Sequence, residues 1–148
     1  MKLNHDRIRS KLDDISRSLS RLRKFRSMRR AAFLGDEDSQ DIARSRLITA
    51  MEAALNICFH VAAKRLHRIP DDYAQCFLFL AEAGLIPPEL AERLSLMARF
   101  RNRLVDLYLD VDYSQVYDMI INDLDDLERF CHAMAVLLYG RFETESSS

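Results

Sequence analysis

The sequence predicts an all-α fold, a five-helix up-and-down bundle, and three observations lead there. Only three glycines and three prolines punctuate the 148 residues. Apolar residues recur at spacings of three and four, with no sustained alternation that would signal strands. The links between periodic stretches are short, as between antiparallel neighbours in a bundle. The length fits one domain, set at residues 1–142, with 143–148 expected to be a disordered tail.

The first helix is marked by Ile8, Leu12, Ile15, Leu19 and Leu22, an apolar stripe on a charged surface. Gly35-Asp36-Glu37-Asp38-Ser39 then reads as a loop whose acids suit the start of the next helix. The second helix runs to about Arg68, with Leu47, Met51, Leu55, Cys58 and Ala62 inward. Pro70 stops it. Asp71 and Asp72 can cap a short third helix that ends near Gly84. Pro87 and Pro88 open the fourth, because proline is tolerated in a first turn. That helix carries Leu90, Leu94, Met97, Phe100 and Leu104 and is expected to end near Tyr108. Asp112 or Ser114 caps the fifth, where Val116, Ile120, Leu124, Leu127, Cys131, Met134 and Leu138 form one long stripe.

Composition narrows the function classes. With 49% apolar and 30% charged residues, general disorder is excluded. Three widely spaced cysteines do not make a disulfide framework, and no apolar stretch of about 18 residues is seen. Met1 to Asp6 lacks the apolar segment of a secretory signal. The expectation is a reduced, soluble, cytoplasmic protein with no membrane partner. The net charge of −1 conceals an asymmetry. Residues 1–31 hold 11 basic and three acidic side chains, a net +8, whereas residues 32–148 hold 11 and 20, a net −9. One end could bind a polyanion, or pair with the acidic part of a neighbour.

Metal and cofactor chemistry find little support. His5, His60, His67 and His132 have no partners at ligand spacing, and the cysteines sit among apolar neighbours as small core residues. No glycine-rich phosphate loop or serine-centred nucleophile motif is present, so no metal and no cofactor are expected. Two segments remain. The run Arg17 to Arg30 contains no acid, so its arginines suit phosphate contacts, though a solvated helix face often carries the same residues. In residues 98–117, Arg99, Arg101, Asn102 and Arg103 precede a cluster of aspartates and tyrosines. Arg101 and Tyr108 are seven apart and share a helix face, while Asp106 lies roughly 140° around from Arg101. One continuous helix does not aim both at one point, so a joint site needs the helix end or a second subunit.

The segment Arg101-Asn102-Arg103-Leu104-Val105-Asp106-Leu107-Tyr108 resembles the Arg-x4-His-x-Tyr motif of HepT-like toxins, within the HEPN superfamily. Glu52-Ala53-Ala54 with His60, the stretch Phe79 to Ile86, Leu90 to Leu94, Val111-Asp112 and Val116-Tyr117 also look like family positions, covering roughly residues 4 to 139. The resemblance implies a homodimeric, metal-independent ribonuclease whose motif helices meet at the subunit interface. It also implies an antitoxin partner, the MntA-like nucleotidyltransferase, which transfers AMP to the motif tyrosine. By this carry-over Arg101 stabilises charge on the scissile phosphate, Asn102 orients it, and Tyr108 is the AMPylated residue. Arg23, Lys24, Arg26 and Arg103 become the candidate RNA contacts.

One position departs from the motif, because Asp106 stands where the histidine belongs. Histidine serves as base and acid because its pKa lies near 6.5. An aspartate, near 3.9 and flanked by Arg101 and Arg103, is expected to stay ionised: a poor base, no acid, and repulsive to phosphate. Losing one such group costs ~10²–10⁴ in rate. The expectation is therefore a HepT-like toxin impaired as a nuclease, or else a non-catalytic helical partner of a nucleotidyltransferase.

Overall fold

The structure, a computed structural model, describes residues 3–106 and 110–147, with side chains to residue 140. Among the described residues it is helical throughout, but the helices number seven, not the five expected. They are α1 (His5–Arg23), α2 (Arg30–Leu34), α3 (Glu37–Lys64), α4 (Tyr73–Glu82), α5 (Pro88–Asp106), α6 (Tyr113–Asn122) and α7 (Leu124–Ser147).

Both extra helices arise where an apolar stripe passes through a break. A 3-10 turn over Lys24–Ser27 ends the first helix and Arg29 is extended, so Arg30–Leu34 forms a helix of its own. Burial of Phe33 holds it there, with its ring 5.5 Å from that of Tyr117 and 5.9 Å from that of Phe25. The expected fifth helix is cut at Asp123, which caps α6 with its own N–H on the Met119 carbonyl. Ile120 and Leu124 are both fully buried across that break, so the spacing alone conceals it.

The remaining boundaries follow local chemistry. Asn4, Asp36, Asp72 and Asp112 cap α1, α3, α4 and α6, each with a side-chain oxygen accepting from a backbone N–H of the first turn. At the end of α3 the N–H of Leu66 reaches the Val61 carbonyl and that of Arg68 the Ala62 carbonyl. This wrap forces His67 into the left-handed region at φ 56°.

α3 is the hub, packed by α1, α4 and α5, while α4 lies along α5. Its buried face, from Ala43 through Leu47, Met51, Ala54 and Cys58 to Ala62, contains many alanines. These let the neighbouring helices approach closely. By length and composition α3 is apolar enough to cross a bilayer, contrary to the sequence expectation; 56% of that stretch is buried in the core.

The charge asymmetry is resolved inside the chain. Arg23 pairs with Glu128 at 2.6 Å and Asp125 at 3.8 Å, and Arg26 with Asp125 at 3.5 Å. Arg30 pairs with Asp118 and donates to the Ser114 hydroxyl at 2.8 Å. The basic end of the chain is thus folded onto α6 and the start of α7.

Candidate nuclease site on the fifth helix

Helix α5 carries the motif to its last residue, Asp106, and its neighbours hold it differently on each side. Arg101 is largely buried, with 18% of its side chain exposed. Its Nη2 donates to Glu52 Oε1 on α3 at 2.6 Å, and its Nη1 to Asn102 Oδ1 at 2.9 Å. Its Nε is buried with no hydrogen-bond partner. The guanidinium is therefore anchored at two corners, while a third donor has had its water removed and not replaced.

Asn102 is half-buried, and its second neighbour is a 160 Å³ hollow shared with Asp72, Tyr73, Ser95 and Arg99. Arg103 points the other way. It is exposed, lies 5.7 Å from the Phe100 ring centroid, and lines a 340 Å³ cleft with Arg93, Met97, Asp118 and Asp123. Asp106 is exposed at the helix end. Among the described residues no ion pair joins it to Arg101 or Arg103, so the expected clamp of two arginines around it is absent. Tyr108, the candidate AMP acceptor, lies outside the described residues.

The arrangement agrees with the helical geometry read from the spacing: within one chain, Arg101 and Asp106 do not converge. Of the other candidate RNA contacts, Arg23 and Arg26 are the ion-paired residues of the folded basic end, and Lys24 is exposed. Two polar side chains of the site were not singled out as site residues. Glu52 anchors Arg101, and Arg44 of α3 donates from Nε and Nη2 to the Leu104 carbonyl at 3.0 and 2.7 Å. A buried arginine needs an acidic neighbour; that rule was the available signal for Glu52.

Elsewhere the titratable groups look structural. Burial pushes the Cys58 thiol well up and the Cys131 thiol up to about 12, the opposite of an activated nucleophile. Cys58 and Cys76 face each other with sulfurs 2.6 Å apart. His60 accepts from the Asn4 backbone N–H at 2.9 Å, and burial, then Arg7 and Lys64, lower its pKa. No group of three metal-ligating side chains occurs among the described residues.

With this geometry in place, comparison with known proteins is specific. The family model described as ribonuclease HepT-like matches residues 15–134. The tRNA nuclease HepT of Aphanizomenon flos-aquae is 30% identical over 110 residues, 74% of this chain and 75% of that protein. The mRNA nuclease HepT of Shewanella oneidensis is 29% identical over 98 residues, 66% of this chain and 74% of that one. Among solved structures, the tri-AMPylated Shewanella oneidensis HEPN toxin in complex with an MNT antitoxin superposes with a TM-score of 0.81. It is 26% identical, and the match covers 92% of this chain and 99% of that one.

Proposed function

The chain belongs to the ribonuclease HepT-like family, and on that premise we propose that it is the toxin of a toxin–antitoxin pair, with an RNA endonuclease site built on α5. The observation that carries the reading is the family match running through α5, together with an Arg101 held rigidly by Glu52 and Asn102. A fixed, partly desolvated guanidinium is suited to stabilise the charge that builds on a phosphate as the 2′-hydroxyl attacks it. The step needs a base for that hydroxyl and an acid for the departing 5′ oxygen. Asp106 replaces the imidazole that serves as both base and acid in the motif, so this copy is impaired. Arg101 and Asp106 diverge within one chain, which supports a homodimer whose two motif helices complete one cleft.

Silencing follows the same reading. A MntA-like nucleotidyltransferase transfers AMP from ATP to the Tyr108 hydroxyl, breaking the α–β phosphoanhydride bond and releasing pyrophosphate, which adds bulk and negative charge two residues from Asp106. The Shewanella oneidensis HEPN toxin supports this, being tri-AMPylated and in complex with an MNT antitoxin.

The experiment is cleavage of a labelled RNA in EDTA by the native chain, Asp106→His, and Asp106→His with Arg101→Ala. Cutting by the histidine form alone, lost again without Arg101, is the expected result. Undiminished cutting without Arg101 removes it from the mechanism. If no form cuts while Tyr108 still accepts AMP, the second reading takes over: a non-catalytic partner of the nucleotidyltransferase, which the aspartate at 106 already favours.

A further inference from the structure

We propose that Arg44 is a positioning residue for the motif: reaching across from α3, it clamps the Leu104 carbonyl and so fixes the last turn of α5, which carries Asp106. The inference rests on reading α5 as the nuclease helix, and it concerns how that helix is held.

Leu104 lies in the last described turn of α5, and its carbonyl receives two donors of one guanidinium, Nε at 3.0 Å and Nη2 at 2.7 Å. Hydrogen bonds from an ionised donor are roughly twice as strong as those between neutral groups. Arg44 is half-buried and Leu104 almost wholly so, which shields the contact from water.

The grip has a second point. Eight residues further along α3, Glu52 holds Arg101 at 2.6 Å. One neighbouring helix thus fixes the motif at Arg101 and again at Leu104, nearly one turn apart, with Leu47 and Met51 buried between the two contacts on α3. Arg101 is set by the first contact, and the direction in which α5 presents Asp106 by the second. Burial raises the pKa of the phenol of Tyr113, the first residue of α6, while the nearby Arg44 charge lowers it and Asp41 raises it. Arg44 therefore sits where α3, the end of α5 and the start of α6 come together.

A guanidinium that donates twice to a neighbouring carbonyl orients that neighbour, a role different from binding phosphate. The distinction is measurable in the Asp106→His protein, where RNA cleavage supplies the readout. Arg44→Ala is expected to lower kcat about 10²-fold, the cost of displacing a reacting group by roughly 1 Å, and to leave KM for RNA unchanged. Arg44→Lys, whose ammonium can still donate to the same carbonyl, is expected to recover part of that loss, and it carries the test if the alanine form does not fold. A raised KM with unchanged kcat would mean that Arg44 touches RNA directly, and would overturn the proposal; so would unchanged kinetics.

Amide hydrogen exchange on the full-length native chain separates this proposal from the function it rests on. Arg44→Ala is expected to accelerate exchange at residues 103–106 at least tenfold while α1 and the first turns of α5 keep their protection. If the Asp106→His protein cuts no RNA, the nuclease reading falls and the exchange pattern alone decides the role of Arg44. Unchanged protection at 103–106, or acceleration spread evenly through the bundle, refutes it.

Discussion

Replacing Glu52 tests how firmly Arg101 is held, because two substitutions there differ in what they leave behind. Glu52→Gln removes the charge but keeps a carbonyl oxygen that can accept from Arg101 Nη2. Glu52 is half exposed, so solvent screening places the loss between an exposed ion pair, about 0–1 kcal/mol, and a charge-assisted bond, about 1.5–3 kcal/mol. About 1 kcal/mol is a fair expectation. Glu52→Ala removes the acceptor as well, leaving a guanidinium with 18% exposure, a buried Nε already unpartnered, and Asn102 as its remaining acceptor. Stripping a mostly buried charge of its partner is costlier, about 2–3 kcal/mol after allowing for the water that reaches it. For a chain of this length each kcal/mol lowers Tm by roughly 3 °C. Thermal unfolding followed by circular dichroism should therefore show a drop of roughly 3 °C for the glutamine form and roughly 6–9 °C for the alanine form. Equal drops would mean that charge alone matters; two variants within 1 °C of the native protein would mean that Arg101 is not anchored, and the rigid-guanidinium argument would fail.

Three other perturbations probe the frame around the site. Ser18 is fully buried on α1 with a hydroxyl that has no partner, so Ser18→Ala should raise stability by about 1 kcal/mol in denaturant titration; a lower midpoint would reveal a bond to the hydroxyl. His67 adopts φ 56° at the end of α3, and His67→Gly should raise Tm by roughly 3 °C, unless the imidazole makes a contact that outweighs the strain. The folded state holds His60 neutral, its pKa below the ordinary 6.5, so the unfolded chain binds more protons in that range. The stability from this group is complete above pH 6.5 and is lost as pH falls through the lowered value. Protection factors at the start of α1, where Asn4 bonds His60, should fall as pH drops through that window in the native chain and not in His60→Gln.

Much of the bundle was legible because its signals are local. The aspartate and proline boundaries at Asp72, Pro88 and Asp112 lie where backbone chemistry demands them, and the apolar stripes are the buried faces, but α3 ends at Lys64, ahead of the stop expected at Pro70, because its last carbonyls are taken by the wrap through Leu66 and Arg68. The breaks at Arg29 and Asp123 were not legible. At Asp123 the spacing of buried residues continues through the break, and only the cap records it. At Arg29 the break is imposed from a distance, by the packing of Phe33 among the aromatics of α6. Periodicity reports which face is buried, not whether the helix bearing that face is continuous.

The site divides along the same line. Arg101, Asn102 and Asp106 could be named from the sequence as parts of a linear motif, and the divergence of Arg101 from Asp106 around α5 followed from 100° per residue. The acidic partner of Arg101 comes from a helix about 50 positions away, and no spacing rule links Glu52 to Arg101 or Arg44 to Leu104. The same limit applied to charge. The basic run of residues 17–30 read equally as a phosphate-contacting surface and as a solvated helix face as long as its partners were unknown; Arg23, Arg26 and Arg30 meet Asp118, Asp125 and Glu128 about 90 to 105 residues later. On the proposed reading, attraction of RNA at the basic end falls to Arg21 on α1 and Lys24 just beyond it, both exposed. Each phosphate that a removed cation leaves unneutralised reduces the slope of log affinity against log salt by about 0.7 for a single strand. Lys24→Ala should therefore flatten the salt dependence of RNA binding by about that amount. Arg23→Ala, which exposes Glu128 and Asp125, should weaken binding through repulsion and cost stability as well. An equal loss of slope for both, without destabilisation, would show that RNA displaces the acidic partners and that the folded-back basic end is itself the binding surface.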